Sequence, residues 1–466
     1  MAPLIVALVT VPLYLRLIGE ARFGALSIVW VLLGYFGLFD LGLSRATANS
    51  IARLHDAPAA DREEVFWSAC VVNLALGVLG GICLYLIGKP ALGQWLKMTA
   101  ALHAEALAAL PWIAASVPIA TLSGVLAGVL EGRKRFAVVN LIQATGTILF
   151  QAVPLLAAEL IGPQLQVIIP VAVIVRVLSM TPFVFALRSA LPLRGRPRLR
   201  LERARELLGY GAWVTVSNVV GPLLDSLDRF LIGVVLGTAY VPAYTVPFSL
   251  VARTQVLARA LSRTLFPYLS AETLGQARSR VLDSVIAMGA LMIPFAVVGM
   301  FVLRPFLVLW MGADFAARAA PVGEMLLCGM WLNGLASIPL AMLQAQGRPD
   351  TVAKFHLLEL PPFVILLWYS LRHFGLTGAA LAWVIRAAID AILLAFAAGI
   401  GSDIVKRLAP GALLVSCAWI AVRVLGARFD VAGLLSSVLF TGVAAAWSFR
   451  SSPFLRRRLF ERHERE

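Results

Sequence analysis

Apolar residues run along this chain in stretches of about twenty, with polar residues gathered in the short connections between them. A helix needs roughly 20 apolar residues to cross a bilayer. The pattern predicts spans over 2–19, 23–44, 65–88, 108–130, 136–160, 166–190, 207–236, 239–266, 282–304, 320–344, 351–371, 376–400, 409–425 and 431–449. The expected fold class is therefore all-α, a polytopic membrane protein of about 14 transmembrane helices with little mass outside the bilayer. The first span carries no basic leader and no small-residue cleavage site, so a signal peptide is a poor reading of it.

The pattern also repeats. Glu131-Gly132-Arg133 returns as Gln346-Gly347-Arg348, a shift of 215 residues (131 to 346), and Leu17-Ile18-Gly19 as Val235-Leu236-Gly237, a shift of 218 (17 to 235). The apolar run around Arg176 returns around Arg386, a shift of 210 (176 to 386). Leu and Val matches between apolar segments are expected by chance, but Gly and Arg matches are not. Six spans precede residue 205 and six comparable ones follow it, which gives both halves one orientation, a parallel repeat of the kind transporters use. The expected domains are an N-lobe over 1–205, a C-lobe over 206–404, and spans 13 and 14 with a basic tail over 405–466.

Composition agrees with the membrane assignment: 60% of residues are hydrophobic, 14% are charged, and mean hydropathy is +0.87. Most of the 40 basic residues fall in connections that share one side if the N-terminus is cytoplasmic, including Arg194, Arg196, Arg198, Arg200, Arg203 and Arg205 at the join and Arg456, Arg457 and Arg458 in the tail. Basic loops stay inside, so both termini are expected in the cytoplasm and the chain in the cytoplasmic (inner) membrane. These clusters read as topology determinants on an anionic leaflet rather than as nucleic-acid sites, and no nucleic-acid partner is expected. Cys70, Cys83, Cys328 and Cys417 lie inside predicted spans without a CxxC pair and read as packing residues.

Charges at membrane depth carry the functional signal, since each costs roughly 2.5–3.5 kcal/mol at mid-bilayer and so faces a wet interior or a partner. Arg176, Arg253 and Arg386 fall near the middle of spans 6, 8 and 12, whereas Asp40 sits near the inner end of span 2. Asp225 and Asp228 lie in span 7, Glu359 in span 11 and Asp390 in span 12. Local pairing explains part of this set: Asp225 with Arg229, and Arg386 with Asp390, both stand at i,i+4. Arg176 and Arg253 have no acid at that spacing in their own helices. A guanidinium stays charged at depth and grips phosphate oxygens in two places, which points to an anionic cargo.

Other chemistry is missing from the chain. There is no P-loop, HExxH or GxSxG, and His55, His103, His356, His373 and His463 are scattered. No cofactor or metal is expected, and an enzyme is not. Prolines inside many spans, among them Pro118, Pro182, Pro247 and the pair Pro361-Pro362, suit either hinges or fixed bends.

Several stretches resemble the polysaccharide transporters of the multidrug/oligosaccharidyl-lipid/polysaccharide flippase superfamily, the group that includes O-antigen and lipid II flippases. They are Leu15-Arg16-Leu17-Ile18-Gly19, Leu38-Phe39-Asp40-Leu41-Gly42, Ser226-Leu227-Asp228-Arg229-Phe230, Leu309-Trp310-Met311-Gly312 and Gly375-Leu376-Thr377-Gly378. The resemblance covers spans 1 to 12 and implies two six-helix lobes alternately open to either face. It also implies a cargo such as a polyprenyl-pyrophosphate-linked oligosaccharide, carried from inner to outer leaflet. Lipid II flippases use arginines in helices 1, 2 and 8, whose positional matches are Arg16, Arg45 and Arg253, with Asp40 as the acid in helix 2.

On this reading the substrate-binding residues are Arg253, Arg176, Arg386, Arg45 and Arg16. The residues for a coupling cation or proton are Asp40, Glu359, Asp390, Asp225 and Asp228. Membrane lipid and the glycosyltransferases and polymerase of one pathway are the expected partners. A cation-coupled multidrug antiporter of the same superfamily and a non-transporting scaffold for polysaccharide assembly are the alternatives.

Overall fold

In hydrocarbon no water is at hand for backbone N–H and C=O groups, so each spanning segment bonds to itself. The computed structural model describes residues 2–34, 42–54, 56–191, 224, 226–425 and 431–451, and among them every regular element is a helix. Eight described helices are long and apolar enough to cross a membrane. Their outward residues are apolar: Leu160 and Leu309 are each 82% exposed. In water that surface would aggregate, whereas in a bilayer it is solvated, and the chain is a multi-pass membrane protein.

The chain divides into two compact units, Met1–Ser226 with Gly233–Pro242, and Leu227–Ile232 with Ala243–Glu466. In the first, α1 (Ala2–Gly34) leaves helical geometry at Gly19, the last residue of the first predicted span. Then come α2 (Leu43–Arg53), α3 (Ala59–Pro90), α4 (Ala100–Gly132), α5 (Phe136–Leu160), α6 (Leu165–Leu178) and α7 (Thr181–Ala190). Leu43, Ile51, Phe66, Val125, Leu130 and Phe183 form a core from α2, α3, α4 and α7. Span 6, expected over 166–190, is a candidate crossing over Leu165–Ser189, with a turn at residues 179–180 between α6 and α7. Pro182 stands in the first turn of α7, where its missing N–H is no loss but where it cannot extend the preceding helix.

The helix α8 (Leu227–Val235) is followed by α9 (Val241–Val251), a 3₁₀ turn at Ala252–Thr254, and α10 (Gln255–Ala271). The expected eighth span is thus interrupted, and Arg253 lies in the interruption. The long helices α11 (Leu274–Met311) and α12 (Ala313–Ala345) precede α13 (Pro349–Ala397), which joins the two predicted spans 11 and 12. The backbone of α13 breaks at Gly375 (φ 58°, ψ −140°), a left-handed conformation that glycine adopts without a Cβ penalty. The chain there reverses: His356 and Asp390 would stand ~50 Å apart on a straight helix but meet at 3.7 Å. Finally α14 (Gly401–Leu425) and α15 (Val431–Ser451) pack on α11. Ser448 Oγ donates to Ala290 O at 2.5 Å.

The structure sharpens the internal repeat. Both α4 and α12 have 33 residues, and their first residues, Ala100 and Ala313, are 213 apart. The turns that follow share one hydrogen-bond pattern. Arg133, Lys134 and Arg135 donate to Val129, Glu131 and Leu130 carbonyls, as Gln346, Gly347 and Arg348 do to Met342, Gln344 and Leu343. The register is therefore 213 (133 to 346), two residues off the Glu-Gly-Arg match at 215. The position that needs positive φ holds Lys134 (61°) in one copy and Gly347 (72°) in the other, so the glycine seen in sequence was matched to the wrong residue.

Candidate functional site

In the second unit the reversal at Gly375 brings two pairs of polar side chains face to face. His356 and Glu359 stand one turn apart on the first arm of α13, and Arg386 and Asp390 one turn apart on the second. All but His356 are at most 7% exposed. His356 Nε2 approaches Asp390 Oδ1 at 3.7 Å. Both Glu359 oxygens, Asp390 Oδ1 and His356 Nδ1 are buried without a hydrogen bond, and a buried polar group so left costs ~1–3 kcal/mol.

Aromatic rings enclose this group. The Arg386 guanidinium lies 5.5 Å from the Phe363 ring centre and 5.9 Å from that of Trp383. Trp383 meets Phe248 edge to face at 5.6 Å, and Phe248 stacks on Tyr244 at 5.9 Å. The Arg229 guanidinium lies over the Phe248 ring, 4.4 Å from its centre. Tyr244 Oη donates to Asp228 Oδ2 at 2.6 Å, and Asp228 Oδ1 accepts from the Arg229 backbone N–H at 2.7 Å. Among the described residues the assembly holds three carboxylates (Asp228, Glu359, Asp390) against two guanidiniums (Arg229, Arg386).

The expected residues are thus only partly gathered. Glu359, Arg386 and Asp390 share one site, and Asp228 joins it through Tyr244 and Phe248. Arg386 and Asp390 stand one turn apart on the second arm, and the contact Asp390 makes is with His356, which the sequence showed only as one scattered histidine. Its signal was present as the i,i+3 spacing of His356 and Glu359. Asp40 and Asp225, and with Asp225 its expected pairing to Arg229, lie outside the described residues, as do the arginines at 194–205 and 456–458. Arg253 is exposed in its 3₁₀ turn.

In the first unit the expected arginines sit on three helices: Arg16 exposed on α1, Arg45 exposed in the first turn of α2, and Arg176 half-buried in the last turn of α6. What this unit gathers instead is Arg22 and Glu105, which the sequence did not single out. Arg22 Nε lies 3.0 Å and a terminal nitrogen 2.7 Å from the Glu105 carboxylate, whose Oε2 also accepts from Leu165 N–H at 3.1 Å. One carboxylate so clamps α1, α4 and the first turn of α6. A further buried acid, Glu324 on α12, is 2% exposed.

The model of the polysaccharide biosynthesis protein family matches residues 14–320. The chain belongs to that family. A protein of Shigella flexneri named "Putative O-antigen transporter" is 27% identical over 393 residues, 84% of this chain and 93% of that protein. Among solved structures, the lipid II flippase MurJ in an inward closed conformation aligns with a TM-score of 0.69 at 15% identity, covering 96% of this chain and 97% of that one. The Vibrio cholerae MATE transporter VcmN aligns at 0.57 and 16% identity, covering 88% and 95%. The polysaccharide biosynthesis family member described here therefore shares its fold with both flippases and drug transporters, and its own side chains carry the distinction.

Proposed function

We propose that this protein carries a polyprenyl-pyrophosphate-linked oligosaccharide from the inner to the outer leaflet of the cytoplasmic membrane, for surface polysaccharide biosynthesis, by alternating access. The observation that carries the proposal is the buried cluster around Glu359, Arg386 and Asp390 in a multi-pass membrane protein of a polysaccharide biosynthesis family. The name of the Shigella relative and the fold of the lipid II flippase support the same cargo class. Both termini face the cytoplasm, and the glycosyltransferases and polymerase of one pathway act before and after it.

The charges divide by role. Arg253 and Arg176, with Arg16 and Arg45 at helix ends, attract and hold the pyrophosphate. Arg386 acts first as counter-charge to Glu359 and Asp390, and meets the cargo when those acids are neutralised. Glu359, Asp390 and Asp228, with Asp40 and Asp225, take up the coupling proton or cation. Loading the site releases Arg386 from its acids, and that exchange links ion entry to cargo binding.

The test is flipping of a fluorescent lipid-linked oligosaccharide by the purified protein in vesicles. Glu359→Gln together with Asp390→Asn is expected to reduce the rate at least about tenfold. Undiminished flipping by a normally folded double variant would overturn the assignment. Accumulation of organic cations by the same vesicles would favour the drug antiporter instead.

A further inference from the structure

The second unit contains a basic cavity that the coupling cluster does not use. It lies between α10 and α12, has a volume of about 410 Å³, and is lined on one side by Arg259, Ser262 and Arg263 and on the other by Ser337, Leu340 and Gln344. That volume lies within the range of ligand pockets. No lining residue is acidic. Ser262 Oγ donates across the floor to Ser337 O at 3.2 Å, holding the two walls together.

The two guanidiniums stand at i,i+4, so they share one face of α10 and repel. Among the described residues neither Arg259 nor Arg263 makes an ion pair or hydrogen bond. A helix C-terminus attracts cations, but only within its last turn. The end of α10 is Ala271; Arg263 lies ~12 Å and Arg259 ~18 Å before it, beyond that reach. Both side chains are exposed at the cavity, and their mutual repulsion is eased by an anion held between them or by water. Phe266 and Pro267 add an apolar wall beside them.

We propose that this cavity is an oxyanion site that reads the phosphate groups of a lipid, with Arg259 and Arg263 gripping the oxygens and the apolar wall taking the adjoining chain. The phosphates come either from the lipid-linked cargo or from a membrane phospholipid headgroup. The cargo source rests on the flippase reading, and the oxyanion chemistry does not.

The experiment titrates the purified full-length protein in neutral detergent with farnesyl pyrophosphate, and separately with farnesol. Farnesyl pyrophosphate is expected to bind and farnesol not. Arg259→Gln with Arg263→Gln should weaken binding about tenfold per guanidinium. Gln344→Trp, which fills the cavity without changing its charge, should weaken it as well.

Competition separates the sources. Displacement by phosphatidylglycerol at equal concentration supports the site with a bulk lipid as its ligand, and displacement only by pyrophosphate compounds supports it with the cargo. Equal affinity for farnesol, or unchanged affinity in a double arginine variant with wild-type thermal stability, would overturn the site. Vesicle flipping by the wild-type protein is measured alongside: its absence counts against the transport reading alone, while the titration judges the cavity.

Discussion

The helix pair α4–α5 in the first unit and the pair formed by α12 and the first arm of α13 in the second have the same lengths at their start, the same 213-residue offset and the same turn between them. Their side chains part company. Opposite His356 and Glu359 the first copy has Gln143 and Gly146, and opposite Glu105 the second has Arg318. Carried through to the next helix, the same register sets Arg386 opposite Val173, Asp390 opposite Val177 and Arg176 opposite Ile389. The backbone was duplicated and these charges were not, although Arg135 and Arg348 in the shared turn coincide: each copy keeps the scaffold, and the chemistry lies where the copies differ.

The largest test of that contrast is Arg386→Leu, which leaves Glu359 and Asp390 buried without their guanidinium. A loss of about 3–5 kcal/mol is expected, read as thermal unfolding in detergent, while Val177→Leu on the exposed face of the matching helix should stay within about 0.5 kcal/mol. If Glu359, Arg386 and Asp390 are replaced together by Leu, stability should return toward wild type and flipping should not. A triple variant that still flips would break the link between the asymmetric charges and transport.

Next in size is Gly378→Ala. A Cβ there would stand 2.1 Å from Ser370 O, against backbone that cannot yield cheaply, and a cost of about 1–3 kcal/mol is expected. In the first unit Gly146 has nothing nearer than Ser179 at 3.5 Å, so Gly146→Ala should stabilise by up to about 1 kcal/mol. Equal effects at the two glycines would mean that the reversal at Gly375 is not held by this close approach.

Glu105→Gln removes the charge that binds Arg22 and weakens the bond to Leu165 N–H. Because Arg22 is 34% exposed, the loss should be about 1–2 kcal/mol rather than that of a buried pair. The smallest effect belongs to Lys134→Gly, which relieves positive φ at the place where the second copy already has Gly347. A gain of up to about 1 kcal/mol is expected, and a loss would show that Lys134 is held there by contacts of its own.

Much of this was legible in the sequence where one helix suffices to explain it. The fifth span was expected over 136–160, and α5 runs Phe136–Leu160, because Lys134-Arg135 and Gly162-Pro163 bound an unbroken apolar run. The acids Glu359 and Asp390 were visible because carboxylates at depth are expensive wherever they point. The 3₁₀ turn at Arg253 and the contact of His356 with Asp390 were not. An i,i+4 rule sees neighbours within one helix, whereas that contact joins residues 34 positions apart through a single glycine. The register error had a similar cause: the repeated letters Gly and Arg slid by two against a turn whose conformation, not its composition, was conserved between the copies.

The reversal at Gly375 also bears on how the chain is made. Neither arm of α13 enters hydrocarbon cheaply by itself, the first carrying His356 and Glu359 and the second Arg386 and Asp390. As a hairpin the two can leave the translocon together, with opposite charges already facing one another. Ribosomes stalled before the second arm has emerged should therefore hold the first in a water-accessible state, and synthesis through Asp390 should commit both arms to the bilayer at once.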